Sequence, residues 1–326
     1  MFPGSENKHC WRPACSLEAM RRRAELYGEI RRYFAGQGVL EVETPLLYPS
    51  IGPDPQIHFF EWQDQNQTRY LQTSPEFAMK RLLAAGSGSI FQICKAFRKG
   101  EQGRLHNPEF TLLEWYRVGF DLDQMMAEVA NLLRRLLGAA VKDVEFLHYP
   151  YIFHQRVGVE WDAPIDVFCE RAEALGLPEG TDLCGNDRIL WLDFLFSHVI
   201  QPQLPAEKLV FVDDYPAPLA ALARLKPDNV QLAERFEVFL NSLELANGYR
   251  ELTDPIQQRQ RFLADQQTRA RLNLPVPPLD ESFLAALESG LPECSGVAVG
   301  LDRILMLSLG KKSIQEVITF PDRSPV

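Results

Sequence analysis

The stretch that decides the fold is "FRKGEQGRLHNPEF", residues 97–110. It concentrates charged, amide and aromatic side chains between two apolar runs, "SIFQICKAF" (89–97) and "FTLLEWYRV" (110–118). Both runs are typical of strands, so together they predict a hairpin with a long, charged connection. Long loops inside compact domains often carry function. We therefore expect this loop to hold a polyanion.

The composition of the 326-residue chain limits the class of protein to which it can belong. With 46% hydrophobic residues it can bury a sizeable core, and its most apolar stretch (189–200) contains Asp193 and His198, which argues against a membrane span. Residues 1–15 are predicted to be a polar tail without a secretory signal. The six cysteines form no CxxC pair, which favours reduced thiols in a cytoplasmic protein. A net charge of −10 favours a small anion in a pocket over an extended nucleic acid.

Other segments predict a single α+β domain over residues 16–326, built on a mainly antiparallel sheet. Residues 16–36 and "TSPEFAMKRLLAAG" (73–86) predict helices, the second capped by Ser74 with Pro75 at its first position. Residues 121–235 predict a helix-rich insertion. Strand-like residues 235–252 and a strand that runs into a helix (295–310) follow it.

Five motifs, taken in order, resemble the class II aminoacyl-tRNA synthetases. "GVLEVETP" (38–45), the 97–110 stretch and "GVAVGLDR" (296–303) are similar to the three signature motifs of that class. "TSPE" (73–76) and "ELANGYREL" (244–252) are similar to segments of its lysyl branch. The resemblance covers roughly residues 16–120 and 236–326. It implies the class II catalytic fold, the use of ATP and Mg²⁺, and a homodimer formed through the first motif.

The resemblance also implies which residues contact the nucleotide. Arg98 would hold the α-phosphate bidentately, while Phe110 and Arg303 would enclose the adenine by stacking and cation–π attraction. Arg98 and Arg303 are the predicted catalytic residues, since charge neutralisation can replace a covalent protein step. The other predicted ATP contacts are Gly100, Glu101, His106, Asn107, Glu244, Leu245 and Gly300.

Glu244 and Glu251 are the predicted metal ligands. If Asn247 and Gly248 form a two-residue turn, the two glutamates face each other, and if Gly248 is a bulge they again share one face. Facing carboxylates repel each other unless a cation lies between them. The resemblance implies Mg²⁺ bound to the ATP phosphates, which suits oxygen ligands. The alternative is two exposed glutamates on a solvated strand.

The resemblance further implies an acidic amino-acid pocket. Buried carboxylates are costly unless they are paired, so a cluster of them predicts a basic ligand. Ser74 either caps its helix or lies where the backbone meets the substrate. The predicted substrate-binding residues are Ser74, Glu76, Glu114, Tyr116, Asn247, Glu251 and Ala298.

The sequence differs from lysyl-tRNA synthetases in three respects. The first motif helix begins near residue 16, without a preceding anticodon-binding domain, so tRNA is not the expected acceptor. The layout most resembles the elongation factor P–(R)-β-lysine ligase family, whose members activate β-lysine as its adenylate and transfer it to a lysine ε-amine of elongation factor P. Ala298 occupies a usual glycine position, which predicts that α-lysine is disfavoured. Gly100 occupies a usual glutamate position, so either Glu101 takes over its contact, the interpretation we favour, or ATP binds more weakly.

Two alternative functions would each require a different site. An ammonia-dependent asparagine synthetase shares the class II core, but its aspartate substrate requires a basic pocket, which these glutamates oppose. A non-catalytic relative would bind an amino acid only and would be expected to lose ATP-site residues. Arg98, Glu244, Glu251 and Arg303 are all present.

Overall fold

The centre of the computed structural model, which describes residues 11–64 and 67–322, is an eight-stranded sheet. The strands are β1 (Leu40–Glu41), β2 (Leu47–Tyr48), β3 (Glu61–Asp64), β4 (Gln67–Leu71), β5 (Ile90–Phe97), β6 (Glu109–Val118), β7 (Asp143–His148), β8 (Lys208–Pro216), β9 (Leu232–Leu240), β10 (Leu243–Arg250) and β11 (Cys294–Gly300). The main sheet has the order β1-β5-β6-β11-β10-β9-β8-β7, and only its two outermost pairings are parallel. The prediction of an α+β fold on a mainly antiparallel sheet is confirmed.

Helices pack on this sheet and around its ends. They are α1 (Leu17–Gly36), α2 (Glu76–Ala84), α3 (Leu122–Leu137), α4 (Tyr149–Val157), α5 (Ile165–Ala174), α6 (Gly180–Cys184), α7 (Arg188–Leu195), α8 (Pro255–Arg271), α9 (Glu281–Gly290) and α10 (Leu301–Ser308). The Ser16 hydroxyl caps α1 by accepting from the Ala19 amide at 3.1 Å, as predicted. None of the helices among the described residues is long and apolar enough to cross a membrane.

The second predicted helix starts one residue later than the sequence indicated. Pro75 occupies the N-cap position and α2 begins at Glu76, so the prediction of Ser74 as the cap was wrong. The Ser74 hydroxyl still accepts from the Glu76 amide at 3.1 Å. At the other end, Gly86 has a φ of +87°, a conformation that favours glycine and ends the helix as predicted.

The hairpin predicted around residues 97–110 is present. β5 and β6 pair antiparallel from Ile90–Tyr116 to Phe97–Glu109, and residues 98–108 connect them. β11 pairs with the other edge of β6, so the strands of the second and third motifs are neighbours. Side chains of Asn247, Ala298 and Glu114 therefore form one cross-strand row, because directly paired residues share a face.

The turn between β9 and β10 differs from both predicted arrangements. It lies at Asn241 and Ser242, whose φ angles of 53° and 61° are those of a tight hairpin turn. Asn247 and Gly248 instead lie inside β10, so the turn, one of the two arrangements left open there, does not form. The bulge lies between Glu244 and Ala246 rather than at Gly248. A bulge adds one residue to its strand and so reverses the alternation of the side chains beyond it. The bulge expected at Gly248 was to bring Glu244 and Glu251 to one side in the same way.

The segment 121–235 contributes strands as well as helices. α3 packs into the main core with Trp115 and Val297, while α4 to α7 form a second apolar cluster around Trp191 and Phe168. Within the same segment β7 and β8 extend the main sheet, which the sequence analysis did not predict. The predicted tail is partly packed: the Ala14 amide donates to the Thr319 carbonyl at 2.8 Å, and residues 1–10 lie outside the described residues.

Candidate active site

One cavity of about 480 Å³ gathers nearly all the predicted site residues. Its walls come from β6, β10, β11, the 98–108 connection and the helices α2 and α8. The predicted residues that line it are Ser74, Glu76, Arg98, Glu101, His106, Asn107, Phe110, Glu114, Tyr116, Glu244, Leu245, Asn247, Glu251, Ala298, Gly300 and Arg303. Gly100 is the exception, because it is exposed and outside the lining.

The conformation of Gly100 explains its place in the second motif. Its φ of +85° is in the left-handed region, which a glutamate would adopt only with strain. The tight turn carries the chain on to Glu101, which lines the cavity and lies 3.5 Å from the Arg98 guanidinium. This geometry favours the interpretation that Glu101 replaces the usual glutamate.

One end of the cavity is cationic and aromatic. The Arg98 guanidinium lies 5.1 Å from the Phe110 ring centroid, and its buried Nε has no hydrogen-bond partner among residues 11–64 and 67–322. Arg303 donates to the Glu244 carbonyl at 2.7 Å, and its other terminal nitrogen lies 2.9 Å from His106 Nε2. An unpaired arginine donor beside an aromatic ring suits an anionic, planar ligand such as a nucleotide.

His106 completes this end as a neutral imidazole. Burial lowers its pKa below the ordinary value, and the positive charge of Arg303 lowers it further. A neutral ring can accept a hydrogen bond from Arg303 through Nε2. His106 therefore helps to fix the Arg303 guanidinium without adding charge.

The other end of the cavity holds three buried or half-buried carboxylates around one lysine. Lys80 Nζ lies 2.6 Å from Glu76 and 2.5 Å from Glu251, and the Lys80 side chain is fully buried. Burial lowers the pKa of Lys80, but the attraction of Glu251 and Glu76 outweighs it and leaves the pKa above its ordinary value. Tyr249 donates to Glu76 at 2.5 Å.

Glu114 and Glu251 retain protons more readily than ordinary glutamates. Burial raises the pKa of Glu114 to about 7, with a further contribution from Glu76, although Tyr116 and Ser74 each donate to Glu114 at 2.7 Å. Burial likewise raises the pKa of Glu251 to about 8, in spite of Lys80. These carboxylates are under-neutralised, so a ligand that brings positive charge would stabilise their ionised form.

Gly296 and Ala298, two small residues of β11, leave room in the cavity for a ligand. A Cβ at Gly296 would collide with the Tyr116 ring and with a Glu251 carboxylate oxygen. Ala298, in the neighbouring row, lines the cavity with its methyl group, as the sequence analysis expected.

Glu244 fits a magnesium ligand better than Glu251 does. The Glu244 side chain is 40% exposed and lies 3.6 Å from Arg303 at the nucleotide end. Glu251 is fully buried and already lies beside Lys80. Since Mg²⁺ keeps several waters and binds through few protein carboxylates, a dry carboxylate next to an ammonium suits it poorly. This arrangement disfavours the predicted pairing of the two glutamates through one metal ion.

Sequence reasoning missed Lys80, Tyr249 and Asp302. The spacing of Glu76 and Lys80 by four residues on a helix was a usable signal for the first. Asp302, in the third motif, accepts from the Thr111 amide at 2.7 Å and pairs with Arg23 at 2.5 Å. It holds α10 against β6 and α1, and it also lines the cavity.

Comparison with known proteins identifies the family to which the chain belongs. Residues 9–324 match the family model described as tRNA synthetases class II (D, K and N). A protein of Avibacterium paragallinarum named elongation factor P–(R)-β-lysine ligase is 43% identical over 96% of this chain and 98% of its own length. The proteins of the same name from Histophilus somni strain 2336 and Pectobacterium carotovorum are 43% and 44% identical, each over 95% of this chain and 97% of their own lengths. The chain therefore belongs to the class II tRNA synthetase family and, within it, to the elongation factor P–(R)-β-lysine ligases.

Proposed function

We propose that this protein uses ATP to activate (R)-β-lysine as its adenylate and transfers the β-lysyl group to a lysine ε-amine of elongation factor P. The observation that carries this proposal is one cavity with an arginine–aromatic end and a carboxylate end. The first suits ATP and the second suits an amino acid with more than one amine. The whole-length similarity to ligases of that name supports the choice of substrate and acceptor.

The number of charged side chains at the carboxylate end of the cavity supports a diamino acid as the substrate. Glu76, Glu114 and Glu251 bring three negative charges when ionised, and Lys80 brings one positive charge. Two positive charges are then needed to balance the pocket, and β-lysine carries two ammonium groups. Its carboxylate would point towards Arg98. An aspartate substrate would add negative charge here, so the asparagine synthetase alternative is disfavoured.

In the first step the β-lysine carboxylate attacks the α-phosphorus of ATP, an oxygen–phosphorus bond forms, and pyrophosphate leaves. Arg98 would offer its unpaired Nε–H to the α-phosphate, where charge develops. Arg303, fixed by Glu244 and His106, would pack on the adenine opposite Phe110. Glu244 would hold Mg²⁺, which would supply positive charge for the leaving pyrophosphate. Positioning supplies most of the rate, since no protein nucleophile is needed.

In the second step the acceptor amine attacks the adenylate carbonyl. An amide bond forms, AMP leaves with the electron pair of the broken bond, and the amine loses a proton. We infer that a protein lysine and not tRNA is the acceptor, and that the reaction takes place in the cytoplasm, where translation factors act.

A homodimer forms part of the proposal. The first motif lies at the β1 edge of the main sheet, and large apolar side chains near it are exposed: Leu40, Leu46, Leu47 and Trp62. Exposed apolar side chains gathered on one side are typical of an interface.

The test is ATP–pyrophosphate exchange with a panel of α- and β-amino acids, followed by mass spectrometry of purified elongation factor P. We expect exchange to be fastest with (R)-β-lysine, and the factor to gain the mass of one β-lysyl group. Exchange with aspartate alone would refute the proposal in favour of the first alternative. Binding of an amino acid without exchange would favour the non-catalytic alternative.

A further inference from the structure

Gln258 is a fully buried polar residue that the proposed reaction does not use. It lies in α8, lines the same cavity and is 0% exposed. Among the residues that the structure describes, neither its Oε1 nor its Nε2 has a hydrogen-bond partner. Buried amides are almost always hydrogen-bonded, since leaving a donor and an acceptor unpaired is costly. An unpaired glutamine in a cavity wall therefore indicates a ligand.

The start of α8 brings Gln258 to the carboxylate end of the cavity. Asp254 caps the helix through the Ile256 amide at 2.8 Å, only a few residues after Glu251. One turn beyond Gln258, Phe262 packs against Phe77 with ring centroids 5.5 Å apart, and Phe77 follows Glu76. Gln258 shares a helix face with Phe262 because four residues make about one turn.

The charged neighbour on α8 does not compete for the Gln258 amide. The Arg261 guanidinium donates to the carbonyls of Ala221 and Ala223 at 2.8 Å each and to Gln257 at 3.1 Å. Its donors contact the 221–223 segment and Gln257, and the Gln258 side chain lines the cavity. A diamino acid complements the acceptor atom of this amide, because an ammonium group can donate to Oε1.

We propose that Gln258 is a specificity-determining residue that hydrogen-bonds one ammonium group of the amino-acid substrate through Oε1. The glutamates supply charge, which attracts any cation, whereas a neutral amide of fixed position distinguishes where the amine lies along the substrate. This inference rests on the proposed function for the identity of the substrate, but not for the role of the residue.

The test compares Gln258→Leu with wild type in ATP–pyrophosphate exchange and in thermal unfolding without ligand. We expect KM for (R)-β-lysine to rise about tenfold, because a buried ammonium loses an acceptor, and KM for ATP to change less than about twofold. The unliganded melting temperature should stay level or rise, because the substitution removes an unpaired amide. Gln260→Leu, an exposed glutamine on the same helix, is the matched control and should leave both KM values unchanged.

Two further variants separate binding from folding. Gln258→Glu keeps an acceptor oxygen in either protonation state and should restore KM for the amino acid to within about threefold of wild type. Gln258→Met repeats the apolar test with a flexible side chain in case the leucine variant does not fold. An unchanged KM in the folded apolar variant, or a lowered melting temperature with KM unchanged, would overturn the role proposed for Gln258.

The same assays distinguish this inference from the proposed function. If the wild type activates another diamino acid and not β-lysine, the proposed function fails, while Gln258 is judged on KM for that other substrate. If calorimetric titration and exchange show that no diamino acid binds, both proposals fail together. If β-lysine is activated equally well without the Gln258 amide, only the inference fails.

Discussion

Replacing Lys80 with methionine should destabilise the unliganded protein strongly and in a pH-dependent way. Lys80 is fully buried and contacts Glu76 at 2.6 Å and Glu251 at 2.5 Å. Removing one partner of a buried ion pair costs about 3–5 kcal/mol, since the remaining charge is uncompensated. At pH 9 we expect the upper part of that range, because one ammonium serves two carboxylates.

The loss should shrink as the pH falls. Without Lys80, Glu251 must bind a proton to stay buried, and its pKa rises beyond the wild-type value of about 8. Since a glutamate whose folded pKa is raised contributes stability below its unfolded pKa and loses it as pH rises, the variant should lose about 1.4 kcal/mol more per pH unit than wild type where wild-type Glu251 is ionised. Near pH 7, wild-type Glu251 is itself largely protonated, so the difference between the proteins should be about 1.4 kcal/mol smaller than at pH 9.

Urea unfolding of both proteins at pH 7 and pH 9 measures this difference. Lys95→Met is the matched control: Lys95 pairs with Glu109 at 3.2 Å, but its side chain is 43% exposed, so its loss should cost less than about 1 kcal/mol. If the Lys80 and Lys95 variants lose equal stability, or if the loss at Lys80 does not grow with pH, the assignment of Lys80 as the internal counter-ion is refuted.

The remaining predictions concern the amino-acid end of the site. KM for β-lysine in the exchange assay should fall as pH rises from about 6 to 8, because Glu114 and Glu251, with pKa values of about 7 and about 8, must ionise to hold ammonium groups; a flat profile would contradict this. Gly296→Ala should reduce the rate of ATP–pyrophosphate exchange about a hundredfold, since its Cβ would displace Tyr116 and Glu251. An exchange rate equal to that of wild type would contradict this and show that Tyr116 and Glu251 can move without loss of activity. Ala298→Gly should reduce the preference for β- over α-lysine about tenfold, and an unchanged ratio would show that the methyl group does not select the substrate.

The sequence predicted the parts of the fold that depend on local pattern. The apolar runs on either side of the 98–108 connection are typical of strands, and the Ser16 cap precedes an amphipathic helix, so both were placed correctly. The same local rules did not locate the turn between β9 and β10, and neither arrangement left open at Asn247 and Gly248 is present. Asn-Gly is a strong turn signal, but here Gly248 serves packing, since a Cβ there would collide with the Phe236 ring and the Gly296 carbonyl oxygen.

Features that depend on distant pairing could not be predicted. β7 and β8 pair in parallel across the helices that separate them, and parallel pairing leaves no short-range turn signal. The four-residue spacing of Glu76 and Lys80 is a signal within one helix, but the contact between Lys80 and Glu251, which follows β10, forms only in the folded chain. The site residues were found through motif resemblance, whereas the counter-ion that sets their charge was found only in three dimensions.

The internal lysine changes how the pocket selects its ligand. Without Lys80, Glu114 and Glu251 would keep protons and the cavity would carry less charge at neutral pH; with it, more of that charge is retained and a deficit of positive charge remains. A monoamino acid could fill only part of this deficit, and burying it would leave a carboxylate either uncompensated or protonated. Selection for two amines then follows from charge, while Ala298 and Gln258, which add no charge, act on where those amines lie. A variant that alters charge should therefore change affinity for all diamino acids together, whereas a change at either neutral residue should reorder them.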